Sequence, residues 1–382
     1  MYDVIVIGLG GMGSAAAYQL AGRGKRVLGL ERYSPPHEWG SSHGRSRIIR
    51  QAYFEDPAYV PLLLRSYELW EQLERDSGED IMTVTGGLMM GAPDSDLVIG
   101  SRKSAEHHEL PYELLDAPEI KRHFPVFEPT PDTVALYEER AGFVRPETSI
   151  SAHLELAARR GADLKFGETV HSWSADSSGE GVVVETDSGT FKAGRLVISA
   201  GSWASQLLSD LHLPLEVTRQ ILFWLEPDDT TLDPEDFPVY IWEPEDGNTF
   251  YGIPAHDGER GIKAAFFRAD AVPCTPETID REVHDEEVEF IRRYMARYLP
   301  RLNGKLLHAQ TCMYTSTPDL HFVISPHPEH PQVSVAAGFS GHGYKMSSVV
   351  GEILADLAAD GKTDHPIDLF SPKRSFESVA RY

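Results

Sequence analysis

Cysteine is nearly absent from this chain: Cys274 and Cys312 are the only two in 382 residues. That excludes a disulfide framework, and a reducing cytoplasm is the expected setting. Basic residues are scarce too, with 35 Lys and Arg against 59 Asp and Glu and a formal net charge of -24. Phosphate binding needs a clustered basic face, so neither nucleic acid nor an anionic membrane is an expected partner. No apolar run approaches the ~20 residues that span a bilayer, and no basic segment with a cleavage site precedes the first strand, so no signal peptide is read. The 16 histidines lack a matching carboxylate or cysteine set. His107-His108 and the pair His327 and His330 lie in polar, Pro-flanked segments that read as surface, and no metal site is expected. A nucleophile elbow of the hydrolase type is also missing.

What is present suffices for a large core: 41% of residues are hydrophobic, and the length suggests two domains. Tyr2–Ile7 is a β-branched run of the kind that forms a parallel strand buried on both faces. Gly8-Leu9-Gly10-Gly11-Met12-Gly13 follows. An Ala-rich helix is predicted over Ser14–Leu20, closed by Gly24, and a second strand over Arg26–Leu30, ending at Glu31. GxGxxG in this strand–turn–helix–strand setting is a dinucleotide-binding fingerprint. Gly8 makes the tight turn, Gly10 lets the backbone approach a pyrophosphate, and Gly13 lets the helix lie close on the strand. Amides at the helix start, at Gly11 and Met12, then face the phosphate charge. Glu31 lies 18 residues beyond Gly13; a carboxylate there suits the ribose hydroxyls of adenosine and repels the 2′-phosphate of NADP. Such a unit serves NAD and FAD alike. The fingerprint's position at the head of the chain favours FAD. So do later strands that return to the same domain, at Ala162–Phe166, Gly181–Glu185, Arg195–Ser199 and Val333–Ala337.

The fold class is expected to be α/β, with a mixed α+β second part. Residues 86–144 and 221–304 are richer in alternating patterns, prolines and acids. They are expected to form a discontinuous antiparallel-sheet substrate domain, inserted into a Rossmann-like FAD-binding domain of residues 1–85, 145–220 and 305–382. The acidic, Pro-rich stretch 226–238 reads as a surface loop. Near the end, Val350, Ile353, Leu354 and Leu357 form the apolar stripe of an amphipathic helix.

Four segments carry a family likeness: Gly8–Gly13 with Glu31-Arg32; Gly40-Ser41-Ser42-His43-Gly44-Arg45-Ser46-Arg47-Ile48-Ile49-Arg50; Cys312-Met313-Tyr314-Thr315; and Gly338–Lys345. With them the chain resembles the monomeric sarcosine oxidase/N-methyltryptophan oxidase family of D-amino-acid-oxidase-like flavoenzymes, along essentially its whole length. The resemblance implies oxidation of a secondary amino acid, sarcosine or a related N-methyl or cyclic one, to an imine, with O2 reduced to H2O2. It implies FAD held by Gly8, Gly10, Gly11, Met12, Gly13, Glu31, Arg32, Ser41, Ser42, His43, Arg47, Val170, Gly201, Gly341, Gly343 and Lys345, and joined by a thioether from Cys312 to its 8α carbon. Arg50 and Lys345 are implied ligands of the substrate carboxylate, Arg47 the residue under the flavin, and Lys263 the cation that activates O2. Tyr251 and Tyr314 line the cavity. The implied partners are a small amino acid and O2, with the protein a monomer.

Physical chemistry agrees with these roles. A guanidinium fork matches the two oxygens of a carboxylate, cationic neighbours lower a thiol pKa, and a fixed cation stabilises developing superoxide. The chain departs from the family at Phe267. A histidine is expected four residues after the lysine, and an apolar ring in its place points to a larger or more hydrophobic substrate. Arg268, next along, should face the opposite way if this segment is a strand. A dehydrogenase using another electron acceptor, and a flavin-binding protein without turnover, stay open as alternatives.

Overall fold

The computed structural model describes residues 1–176, 180–228, 233, 236–269 and 271–377. Tyr2–Ile7 runs parallel to Val27–Glu31 on one side and to Gly189–Ile198 on the other. Alternation then buries both faces. Val4 and Val6 join a core with Leu20, Trp70, Ile353 and Leu354 beneath the helices. Ile5 and Ile7 join Leu28, Leu30, Val184 and Leu196 on the other face. Asp163–Phe166 extends the sheet beyond Val27–Glu31. At the other side, Val333–Ala337 pairs with the end of Gly189–Ile198, and Val182–Thr186 with its beginning. The mixed α/β class expected from the sequence is borne out.

The first helix spans Gly11–Gly22 and so starts three residues before the predicted bound. Gly8 adopts φ +83, and a Cβ on Gly13 would lie 1.7 Å from the Gly8 carbonyl oxygen. The helix can therefore spring directly from the turn, with no room for a side chain. The helix Ser347–Asp360 lies against it: a Cβ on Gly351 would sit 2.4 Å from the Ala15 Cβ. Val350, Ile353, Leu354 and Leu357 are all buried, as their spacing predicts.

Among the described residues a second, nine-stranded sheet combines strands from Gly87–Gly91, Val134–Glu138, Glu216–Leu225, Val239–Trp242, Phe250–Ile253, Ile262–Phe266 and Leu306–Ser316 with two shorter edge strands. Its pairs are antiparallel except one: Val239–Trp242 runs parallel to Gly87–Gly91. Helix Asp285–Tyr298 packs Ile291, Tyr294 and Met295 onto this sheet. A small third sheet, Arg47–Ile49 with Gly142–Val144 and Met82–Val84, was not legible as a pattern because its strands have three residues each.

One surface assignment fails. His327 is buried, its Nε2 is 2.8 Å from Asp210 Oδ2, and its Nδ1 accepts from the Glu329 and His330 N–H groups. Local polarity misled because the imidazole satisfies its own turn. Of the stretch 226–238, residues 229–232, 234 and 235 lie outside the described residues. Among the described residues no helix is long and apolar enough to cross a membrane.

The Gly351 contact is testable. A Gly351→Leu change gains roughly 1 kcal/mol of helix propensity, but overpacking against Ala15 costs about 1–3 kcal/mol. We expect a net loss in urea unfolding; a variant as stable as wild type would show that the two helices can part freely.

Candidate active site

A cavity with an empty volume of about 1980 Å³, open solvent at its mouth included, has walls from both large sheets. Gly8, Gly10, Gly11, Met12, Glu31, Arg32, Ser41, Ser42, Val170 and Gly201 line it, as do Arg47, Arg50, Tyr251, Phe267, Tyr314, Gly341, Gly343 and Lys345. Gly13, His43, Lys263 and Cys312 do not line it; all are buried among these residues.

The start of the first helix carries no side-chain cap at Gly10, and the Gly11 N–H donates to Ser42 Oγ at 3.2 Å. Uncapped amides of this kind suit an anion. Glu31 Oε2 accepts from the Leu9 N–H at 2.8 Å and Oε1 from the Tyr33 N–H at 3.1 Å. Each oxygen keeps a lone pair for a further hydroxyl donor.

Residues 44–50 bring most of the remaining groups together. Gly44 and Arg45 both have positive φ, +94 and +68, and form a turn whose N–H groups donate to Glu147 Oε1 at 2.6 and 3.0 Å. The carbonyls of Gly44 and Ser46 accept from Lys263 Nζ at 2.9 and 2.7 Å. Lys263 is only 2% exposed, which settles its strand position as an interior one. Burial, and then the Arg47 charge, hold its pKa well below the usual lysine value. Arg47 donates to the Ser46 carbonyl at 2.9 Å and to the Ser41 carbonyl at 3.0 Å, and its Nη2 lies 3.7 Å from Cys312 Sγ. Burial raises the Cys312 thiol, but His43 and Arg47 beside it bring its pKa down to about 6. These neighbours favour the thiolate form of Cys312.

Arg50 is buried with its Nη1 2.7 Å from the Ala52 carbonyl and its Nη2 2.7 Å from Glu55 Oε2. Its Nε has no partner among the described residues. The guanidinium carbon sits 4.2 Å from the Tyr53 ring centre, and Lys345 Nζ 5.2 Å from the same centre, so the two cations are neighbours. Lys345 donates to the His342 carbonyl at 2.7 Å. Burial and the Arg50 charge lower its pKa to about 7, against the pull of Glu55. For Glu55, burial acts upward, but Arg50, His342 and Lys345 hold it at about 2. His342 Nε2 faces the Leu320 carbonyl at 2.9 Å and so carries the proton. Its Nδ1 then accepts from the Tyr53 hydroxyl at 2.5 Å. Burial keeps this imidazole neutral, with a pKa of about 3.

The apolar side of the chamber comes from Tyr251 and Tyr314, which share a hydrogen bond, and from Phe267. The Phe267 ring stands edge-on to Phe54 at 6.2 Å and to Tyr314 at 6.3 Å. The condition for Arg268 to alternate is not met: the strand ends at Phe266, Arg268 adopts φ +71, and its Nη2 donates to the Ser340 carbonyl at 2.7 Å. Strand alternation does not apply to it. Sequence reading also passes over Glu55 and His342. Glu55, five residues past Arg50 in an irregular acidic segment, gives no periodic signal, whereas His342 stood inside the Gly-rich segment itself.

A Rossmann-type frame and a cavity with cations at its walls define a dinucleotide-dependent oxidoreductase. Residues 3–357 match the family described as FAD dependent oxidoreductase. The chain is 56% identical over 377 residues to a monomeric sarcosine oxidase of Streptomyces avermitilis, covering 98% of this chain and 97% of that protein. It is 33% identical to an N-methyl-L-tryptophan oxidase of Yersinia pestis, covering 98% and 99%. Among solved structures, the open form of NikD, an unusual amino acid oxidase essential for nikkomycin biosynthesis, superposes with a TM-score of 0.85 at 25% identity, covering 100% of this chain and 99% of that one. The chain belongs to the FAD dependent oxidoreductase family, and the resemblance read from its motifs is borne out.

The cavity fits that cofactor. Glycines line the wall where the uncapped helix begins, and a carboxylate stands at the end of the second strand. Further on, buried His43 stands against Cys312 and, with Arg47, favours the ionised form of its thiol.

Proposed function

We propose that the protein is an FAD-dependent oxidase of secondary amino acids, sarcosine or related N-methyl and cyclic ones, acting as a cytoplasmic monomer. The observation that carries this reading is the meeting of Arg50 and Lys345 over the Tyr53 ring, at the wall of a chamber otherwise faced by Tyr251, Phe267 and Tyr314. A carboxylate bound there satisfies two buried cations, and the aromatic groups receive the amine and its substituent. In this reading the first large sheet frames an FAD domain (1–85, 145–220, 305–382) and most of the second a substrate domain (86–144, 221–304), while Leu306–Ser316 and the start of Glu216–Leu225 reach into that second sheet from segments assigned to the FAD domain.

FAD, when bound, supplies the two-electron oxidant for the amine and passes the electrons to O2. The chain's own groups do the rest. Gly8, Gly10, Gly11, Met12 and Gly13 receive the diphosphate at the helix start, and Glu31 and Arg32 the adenosine. Ser41, Ser42, His43, Val170, Gly201, Gly341 and Gly343 complete the cofactor site. Arg47 and Cys312 would hold the flavin, Cys312 covalently, its thiol prepared by His43 and Arg47. Lys263, fixed by two carbonyls, provides the cation for O2 reduction. Phe267, an apolar ring at the family's histidine position, favours a bulkier or more apolar substrate than sarcosine.

The reading is tested by offering sarcosine, bulkier N-methyl amino acids, L-proline and pipecolate to the purified enzyme. O2 uptake matched by H2O2 is expected with at least one of them, and reduction of an artificial acceptor without O2 uptake would instead make the protein a dehydrogenase. Covalent attachment has its own check. Acid precipitation should leave a yellow pellet, and the Cys312→Ser variant a colourless one under a yellow supernatant.

Lys345 gives a pH dependence of known sign. Its ammonium form, which attracts the carboxylate, prevails below about pH 7 in the free site. The inhibition constant of 2-furoate, a carboxylate that cannot be oxidised at nitrogen, should therefore rise above pH 7, by up to roughly tenfold per unit. A constant that stays flat to pH 9 would show either that Lys345 stays charged there or that it does not touch the carboxylate, and Lys345→Met separates the two: weakened binding means contact, unchanged binding removes Lys345 from the site.

A further inference from the structure

Two buried backbone donors beside Arg50 belong to no ladder. Strand Arg47–Ile49 ends just before Arg50, and the chain continues irregularly through Gln51 and Ala52, both buried. Their N–H groups donate to one side chain from far along the chain. Glu138 Oε1 accepts from Gln51 at 2.7 Å and Oε2 from Ala52 at 2.8 Å. Glu138 is the last residue of strand Val134–Glu138 in the second large sheet and is 2% exposed. Among the described residues it has no ion-pair partner within 4.0 Å; its side-chain hydrogen bonds are these two amides, with the Arg50 and Arg140 charges acting from farther off. Glutamine there could accept one N–H but would turn its own NH2 toward the other, and an apolar residue would orphan both donors.

The guanidinium rests on the next peptide along, so the clamp and the arginine share residue Ala52. Arg50 Nη1 donates to the Ala52 carbonyl at 2.7 Å, while its Nη2 is held by Glu55. We propose that Glu138 is a positioning residue: by clamping the Gln51 and Ala52 amides it aims the Arg50 guanidinium at the substrate carboxylate. This rests on the reading of Arg50 as a carboxylate ligand. It also explains how the second sheet, which supplies Tyr251, fixes the distance between its own aromatic wall and an arginine carried by a different sheet.

The test uses holoenzyme of Glu138→Gln, Glu138→Asp and, as reference, Arg50→Lys. Three quantities are measured: flavin content, the rate at which dithionite-reduced enzyme is reoxidised by O2, and the dissociation constant of 2-furoate from the flavin absorbance. For Glu138→Gln we expect full flavin content, reoxidation within twofold of wild type, and 2-furoate binding weakened at least tenfold. For Glu138→Asp, too short to reach both amides, the loss should be smaller, and it serves alone if the Gln variant does not fold. The proposal is overturned if 2-furoate binds both Glu138 variants within twofold of wild type while Arg50→Lys weakens it tenfold. It is also overturned if flavin content and reoxidation fall together with binding, since that is general disruption. Unchanged binding in Arg50→Lys would instead remove the arginine from the site, and the proposal with it.

Discussion

Hydrogen bonds from backbone amides to two carboxylates, one buried and one half-buried, hold the stretch Gly44–Ala52, and the site is assembled around that stretch. Glu147 takes the amides at one end and Glu138 those at the other. Between them the chain presents two carbonyls to Lys263 and carries Arg47 toward Cys312 and Arg50 toward Glu55. A three-residue strand could not hold these groups by its own ladder. Charge-assisted bonds to amides are stronger than neutral ones and carry direction, so a short, irregular segment acquires the rigidity usually reserved for a helix or a long strand.

The same arrangement explains a local reversal of charge. The protein as a whole carries a formal net charge of -24, yet Arg47, Arg50, Lys263 and Lys345 gather at the cavity. Burying cations together is costly, and the pKa values of Lys263 and Lys345 register it by falling. Glu55, kept ionised chiefly by Arg50 and Lys345, offsets part of that cost. The chamber therefore stays receptive to one more negative group.

Much of this architecture was legible in the sequence. The Gly8–Gly13 turn could be read because a β-branched run, three spaced glycines and an alanine-rich segment each demand a definite backbone state, and the three demands agree. The stripe Val350, Ile353, Leu354 and Leu357 was readable for a similar reason. The carboxylate clamps were not. Glu138 meets its amide 87 positions away and Glu147 meets its turn 103 positions away, and neither separation leaves a periodic trace. The condition for Arg268 to alternate with Phe267 is not met, because the strand stops two residues before it. His327 was misjudged because polar neighbours in sequence need not be the neighbours in space.

The near contact between Gly351 and Ala15 joins two helices that are made far apart in time. The ribosome adds roughly 5–20 residues per second, so the first helix waits tens of seconds for the one that covers it. Until then the face of the first helix around Ala15 lacks the cover that Gly351 provides. A nascent chain stalled before residue 347 is therefore one for chaperones to shelter.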